Sequence, residues 1–282
     1  MLEKARGAKG SGMRVILGVL LVLSISLSSG SGFAGDSFIF GVAPHTSARV
    51  ILEMYQPLRA HLEKTLNMKV EVVTAPDFTE FARRGLAGAY DIAVTTGHQA
   101  RLLQTDAGYI PLLTYAAGFK SVIFIKKDGP IGSAEDLKGK SALGLSPSSL
   151  VTIWGQHWLQ DNVGEISVRY VSASDSVAQL VVAGDAAVGL ASLANFQKLS
   201  PDIQNQLRIL VESPDMAGRV YVLNSRDAAR EKEIDAALRS FAETIEGKRY
   251  FEANKLEGYR KLGPHELEAM DKYTAEVRLT LH

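Results

Sequence analysis

The chain has 282 residues, 31 Lys+Arg against 31 Asp+Glu, 46% hydrophobic and 22% charged residues, and no cysteine. That composition belongs to a globular chain able to bury a sizeable core, and its balanced charge gives no footing for nucleic-acid binding. The missing cysteine excludes a disulfide framework, a thiolate nucleophile, thiolate zinc sites and a lipidated cysteine tether.

Residues 1–34 read as a secretory signal. Lys4, Arg6, Lys9 and Arg14 make a basic start, Val15 to Leu27 is apolar and uncharged, and Gly32-Phe33-Ala34 places small residues where a signal peptidase reads. The apolar run is shorter than the roughly 20 residues of a spanning helix, which favours cleavage over a retained anchor. Cleavage would remove four basic residues and one acidic one, leaving 248 residues with a net charge of about −3. An exported chain with neither bridge nor tether suits a bacterial periplasm.

From residue 37 the pattern alternates strand and helix. Ser37–Val42 reads as a buried strand, followed by the loop Ala43-Pro44-His45-Thr46-Ser47 and a helix with Val50, Ile51, Met54, Leu58 and Leu62 on its apolar face. Pro57 inside that helix predicts a kink or restart. After the strand Lys69–Val73, Asp77 with Glu80 has capping-box form, and Phe78, Phe81 and Leu86 supply the next apolar face. The strand Tyr90–Val94 runs into Thr95-Thr96-Gly97-His98, with a helix from Gln99. Tyr109–Leu113 and Ser121–Ile125 follow as strands.

Beyond the turn Lys127–Pro130, Ser133 caps a short helix and Ser141–Leu143 is a strand. Gly144-Leu145-Ser146-Pro147-Ser148-Ser149 then opens a helix carrying Trp154 and Trp158, read as a core stripe. Val168–Val171 leads into Ser172–Ser176, which includes Ser174 and Asp175 at a helix start, and Ala187–Leu190 ends at Ala191-Ser192. Leu207–Val211 and Val220–Leu223 are the last strands. The charged tail has Ile234, Leu238, Phe241 and Ile245 as its buried stripe. Strands separated by helices of 10–15 residues predict mainly parallel sheets with helices on both faces, an α/β fold.

Four strands, ending at Val42, Val94, Leu143 and Val171, run into Ser- or Thr-rich helix starts. In open α/β sheets ligands bind at such places, and free first-turn amides suit an anion. The candidate contacts are His45, Thr46, Thr95, Thr96, Gly97, His98, Ser146, Ser148, Ser149, Ser174, Asp175 and Ser192. The same hydroxyls are equally ordinary helix caps. The six histidines form no HExxH pattern or other metal-ligand spacing, so neither a metal nor a cofactor is expected.

Several stretches resemble, in order and spacing, the periplasmic substrate-binding proteins of the phosphate, phosphite and phosphonate ABC-transporter family. They are VAPHTSARVILEMYQPLRAHLEKTLNMKVEVVTAPDFTEF, GAYDIAVTTGHQARLL, SVIFIKKDGPIGSAEDLKGKSALG and SASDSVAQLVVAGDAAVGLAS. The resemblance implies a two-lobe type 2 periplasmic-binding-protein fold with hinge strands between the lobes. Lobe one would be 35–125 with 219–282 and lobe two 126–218, the chain crossing near Lys126 and returning near Arg219. It also implies a monomeric receptor that delivers a small anionic ligand to an ABC permease in the inner membrane.

Where phosphonate binders of this family carry Ser-Thr-Ser-Gly at the start of the lobe-two helix, this chain keeps only Ser149 of the run and places Leu150 and Val151 in it. An aromatic residue of the family is Thr95 here, and its histidine is Ser174. The resemblance therefore fixes the family more firmly than the ligand. A ligand-sensing module for a periplasmic signalling partner is the alternative. An enzyme on this fold is disfavoured: no cysteine could anchor a tetrapyrrole primer, and no paired carboxylates end a strand.

Overall fold

The computed structural model describes residues 37–171 and 173–281. The expected signal segment, Ser172 and His282 lie outside the described residues. Among the described residues no helix is long and apolar enough to cross a membrane.

The first half of the chain runs β1 (Phe38–Val42), α1 (Ala48–Leu66), β2 (Val70–Val73), α2 (Phe78–Leu86), β3 (Ile92–Thr96), α3 (Gly97–Ala107) and β4 (Ile110–Tyr115). A second set follows: β5 (Ser121–Lys126), β6 (Ser141–Gly144), α4 (Leu150–Asn162), β7 (Ser167–Tyr170), α5 (Ser174–Ala183), β8 (Val188–Ser192), α6 (Leu193–Gln197), α7 (Pro201–Gln204) and β9 (Leu207–Glu212). The chain returns through β10 (Arg219–Leu223), α8 (Glu231–Glu243), α9 (Ile245–Asn254), β11 (Tyr259–Arg260) and α10 (Asp271–Leu281).

Two sheets result, ordered β11-β4-β10-β3-β1-β2 and β7-β6-β8-β5-β9. Strands β1, β2 and β3 pair in parallel, as do β6, β7 and β8, while β10 lies antiparallel between β3 and β4 and β5 antiparallel between β8 and β9. Each sheet defines a lobe. Strand β5 belongs to the second sheet, so the outgoing link is 116–120 rather than the turn after Lys126, a correction to the expected boundary. Its apolar run Val122–Ile125 pairs on both sides within lobe two, and nothing local in the strand distinguishes the two sheets. The return link is 213–218. The two links pair as neighbours through the bridge Phe119–Met216, with Met216 N donating to Phe119 O at 2.9 Å.

Local signals explain most elements. Asp77 caps α2, its Oδ1 accepting from Glu80 N at 2.8 Å. The capping box is only half made, because the Glu80 carboxylate turns to Arg83 and Arg84. Helix α1 runs unbroken through Pro57, and its buried face is Ile51, Tyr55, Leu58, Leu62 and Leu66. Val50, expected inside, is 40% exposed. Ile245 is likewise 66% exposed: the tail helix breaks at Thr244, whose hydroxyl accepts from Gly247 N and starts a new helix out of phase.

The lobes meet in one apolar cluster. Phe78, Leu102 and Leu103 of lobe one pack with Leu150, Ile153 and Trp154 of lobe two and with Tyr273 and Val277 of α10. Each fully buried side chain of this size contributes about 1.5–3 kcal/mol. Helix α10 therefore touches α2 and α3 on one side and α4 on the other.

Candidate functional site

The carboxyl ends of β1, β3, β6 and β8 face one another between the lobes. A small inner cavity of about 40 Å³ lies there, walled by His45, Thr96, Ser149, Ser192 and Asn195 on its polar side. Phe78, Phe119, Leu145, Leu150 and Val151 form its apolar side. An outer chamber of about 500 Å³ shares His45 and Asn195 as walls and adds Thr46, Ser47, Ser174, Asp175 and Lys198 among others. Helices α1 and α5 both begin at this chamber.

Of the residues expected to face ligand, His45, Thr96, Ser149 and Ser192 thus gather at the inner cavity, and His45, Thr46, Ser174 and Asp175 at the outer chamber. Ser149 Oγ caps α4, accepting from Thr152 N at 3.3 Å and donating to Thr152 Oγ1 at 2.9 Å. Ser192 Oγ accepts from Asn195 N at 3.2 Å, and Asn195 Nδ2 donates to Ser174 Oγ at 2.9 Å.

The remainder are used elsewhere, which corrects the expectation for them. Thr95 is fully buried and donates to Gln99 Oε1 at 3.0 Å. Gly97 spends its N–H on Ala217 O at 3.3 Å. A Cβ there would come within 2.4 Å of the Ala217 Cβ, so this glycine lets α3 begin against the return link. His98, fully buried, bridges Thr96 Oγ1 at 3.1 Å and the Ser148 carbonyl of lobe two at 3.0 Å. Ser148 Oγ is paired with Thr79 Oγ1 at 2.8 Å and reaches Ser146 Oγ at 3.4 Å. Ser146 opens instead on a groove with Asp77 and Thr79 on the far side of this contact. These side chains join the lobes and stand outside both cavities.

Sequence reasoning missed Asn195 and Lys198, although Asn three residues after Ser192 is a helix-cap spacing. It marked Arg219 only by position at the hinge. Arg219 Nη1 donates to His45 Nε2 at 3.3 Å while His45 Nδ1 lies 2.9 Å from Ala43 O, which fixes the Nδ1–H tautomer. Burial, reinforced by the Arg219 charge, holds the His45 imidazole down at about 3, so it stays neutral. Burial likewise lowers His98 to about 4. Behind them lies a tyrosine network that no local pattern announces. Tyr115 Oη meets Tyr221 Oη at 2.7 Å, Tyr250 Oη at 2.6 Å and Tyr55 Oη at 3.4 Å. Burial pushes the Tyr115, Tyr221 and Tyr250 hydroxyls well up, so they serve as neutral donors and acceptors. Among the described residues no cluster of three His, Asp or Glu is placed to hold a metal.

The arrangement of two α/β lobes, two links and an interlobe cavity defines a solute-binding protein of the type 2 periplasmic class. The profile of the family described as "ABC transporter, phosphonate, periplasmic substrate-binding protein" matches residues 40–267, and the chain belongs to that family. It is a family of transport receptors located in the periplasm, whose members bind small ligands and work with an ABC permease. A comparison with curated proteins by sequence finds no match.

Solved structures share the fold. PhnD1 from Prochlorococcus marinus in complex with methylphosphonate superposes with TM-score 0.75 at 14% identity, over 87% of this chain and 99% of its own. A protein of Xanthomonas citri bound to chloride ion gives 0.71 at 20% identity, over 86% and 100%. A binding protein component of an ABC phosphonate transporter from Pseudomonas aeruginosa gives 0.66 at 16% identity, over 87% and 97%.

Proposed function

We propose that this chain is the solute-capturing receptor of an ABC transporter, exported by cleavage of residues 1–34 and closing its lobes as a monomer over a small anion of the phosphonate or phosphate kind. The observation that carries this reading is the shared wall of the inner cavity: His45 and Thr96 come from lobe one, Ser149, Ser192 and Asn195 from lobe two. A ligand touching both walls stabilises the closed arrangement by its differential affinity, the thermodynamic requirement for a hinge receptor. The electrostatics favour negative charge. The N-terminus of α4 points its first turn at the cavity, and neutral His45 stands in front of the Arg219 guanidinium. Thr46, Ser174 and Asp175 would line the approach.

The experiment is a thermal-shift and titration series with phosphate, phosphite, methylphosphonate, small sulfonates and small carboxylates. A true ligand at a hundredfold excess over Kd adds about 2.7 kcal/mol of stability. If no anion shifts the melting temperature while neutral or cationic solutes do, the anion reading is wrong. Hydrolysis of a phosphonate or phosphate ester by the pure protein would overturn the receptor reading.

A further inference from the structure

Apart from the two links, the lobes are joined along one flank. Among the described residues the side-chain hydrogen bonds that cross between them are Thr79 Oγ1 with Ser148 Oγ at 2.8 Å, His98 Nε2 with Ser148 O at 3.0 Å and His157 Nε2 with Glu276 Oε1 at 3.4 Å. Beside them Leu150, Ile153 and Trp154 of α4 lie in one apolar cluster with lobe one and α10. Helix α10 is tied to lobe one by Thr274 Oγ1, which donates to His98 O at 2.9 Å, and by the ion pairs Arg101–Asp271 and Arg278–Asp106, both at 2.7 Å. Its other side meets α4, where Tyr273 stacks on His157 with ring centroids 5.8 Å apart. The helix is thus a third, non-covalent connection between the lobes.

The flank at the outer chamber is built differently. There the starts of α1 and α5 stand on either side of about 500 Å³ of open space, and among the described residues none of those crossing hydrogen bonds involves a residue that lines it. Parting the joined flank would strand the fully buried His98 imidazole without its acceptor and bring Leu150, Ile153 and Trp154 into water, both of them unfavourable. Widening the outer chamber does neither, because its walls are already apart and open to solvent.

We propose that the cleft opens at the outer chamber alone: the Ser148 contacts and the α10–α4 packing persist without ligand, and the lobes swing about them as the chamber widens between α1 and α5. The inference rests on the receptor reading and adds to it the axis of the movement and the single entrance by which solute reaches the inner cavity. Sub-global motion follows the contacts that cost least to break, and here those contacts are all on one side.

Paired spin labels test it, and because the chain has no cysteine each variant carries only the two introduced thiols. Val50→Cys with Gln179→Cys spans the outer chamber, and Arg83→Cys with Tyr170→Cys spans the groove over the joined flank, all four positions being exposed. In the ligand-free protein the first pair is expected to give a broad distance distribution and the second a single narrow one. A second pair as broad as the first, or a first pair as narrow as the second, overturns the inference. Methylphosphonate should then shorten and narrow the first distribution and leave the second unchanged, and a shift of the second pair overturns the inference. Joining each pair with a short bismaleimide supplies the functional arm. The link between Val50→Cys and Gln179→Cys should slow methylphosphonate exchange about a hundredfold or more, while the link between Arg83→Cys and Tyr170→Cys should leave it within about twofold of the unlinked variant. Equal slowing by both links overturns the inference and leaves the receptor reading intact. Failure of the wild-type protein to bind methylphosphonate or any other anion of the thermal-shift series removes the anion reading, and the ligand-free distances still decide which flank opens.

Discussion

His98 Nε2 lies 3.0 Å from the carbonyl oxygen of Ser148, and the two residues belong to different lobes. A carbonyl only accepts, so Nε2 carries the proton and Nδ1 accepts from Thr96 Oγ1. The imidazole is neutral, fully buried and holds the cleft together at one point, with the hydroxyl pair Thr79–Ser148 beside it.

This pair predicts an acid sensitivity. His98 is depressed from 6.5 to about 4 by burial, so its contribution is complete above pH 6.5 and is lost as pH falls toward 4, because the unfolded chain binds the proton first. The shift corresponds to about 3 kcal/mol at most. His45, lowered to about 3, acts in the same direction. Urea midpoints measured from pH 7.5 to 4 are expected to fall for the wild type. His98→Gln, which keeps a donor for Ser148 O, is expected to flatten part of that slope. An unchanged slope in the variant would exclude His98 as its source.

Gly97 predicts a steric failure. Its missing Cβ would stand 2.4 Å from the Ala217 methyl and 2.7 Å from the Ala217 carbonyl oxygen, neither of which can rotate away. Gly97→Ala should cost about 2 kcal/mol, the usual size for overpacking a tight contact. It should also alter ligand affinity, because the displaced segment is the return link. A double-mutant cycle with Ala217→Gly is the check: recovery of about half the loss is expected, whereas strict additivity would show that the contact is not the cause.

How much of this was legible in the sequence depended on whether the cause was local. Asp77 and Ser149 announced their helices because a cap needs only the next three residues. The strand order in the chain and the burial of Trp154 followed from periodicity, and the family's stretches fixed the architecture. Tyr55 in place of Val50 on the buried face of α1 was not legible, since it is chosen by partners far along the chain, Tyr115 and Tyr250. The sheet membership of β5 was hidden for the same reason. At the site, hydroxyls at helix starts were visible but their partners were not: Thr95 and Ser148 look like ligand contacts until Gln99 and Thr79 are seen beside them.

Ser149 predicts a separation of stability from binding. Its hydroxyl both accepts from Thr152 N and donates to Thr152 Oγ1, which in turn accepts from Leu145 N at 3.0 Å. Ser149→Ala should lose about 1 kcal/mol, the typical worth of an N-cap, in chemical denaturation. Anion affinity should fall by less than tenfold, since the backbone amides of the first turn remain. A loss of binding far larger than the loss of stability would place the ligand on this hydroxyl itself.

Helix α10 predicts that lobe-to-lobe packing is apolar and not ionic. His157 Nε2 approaches Glu276 Oε1 at 3.4 Å, but both side chains are more than a third exposed. An exposed pair of this kind contributes 0–1 kcal/mol, so Glu276→Ala should be nearly silent. Trp154, 7% exposed, sits in the same buried cluster as Tyr273 and Val277. Trp154→Ala should therefore cost about 3–5 kcal/mol, the range for emptying a large aromatic site. The comparison isolates the helix as an apolar strap: a large effect of Glu276→Ala, or a Trp154→Ala protein as stable as wild type, would require the lobes to be held by something other than this cluster.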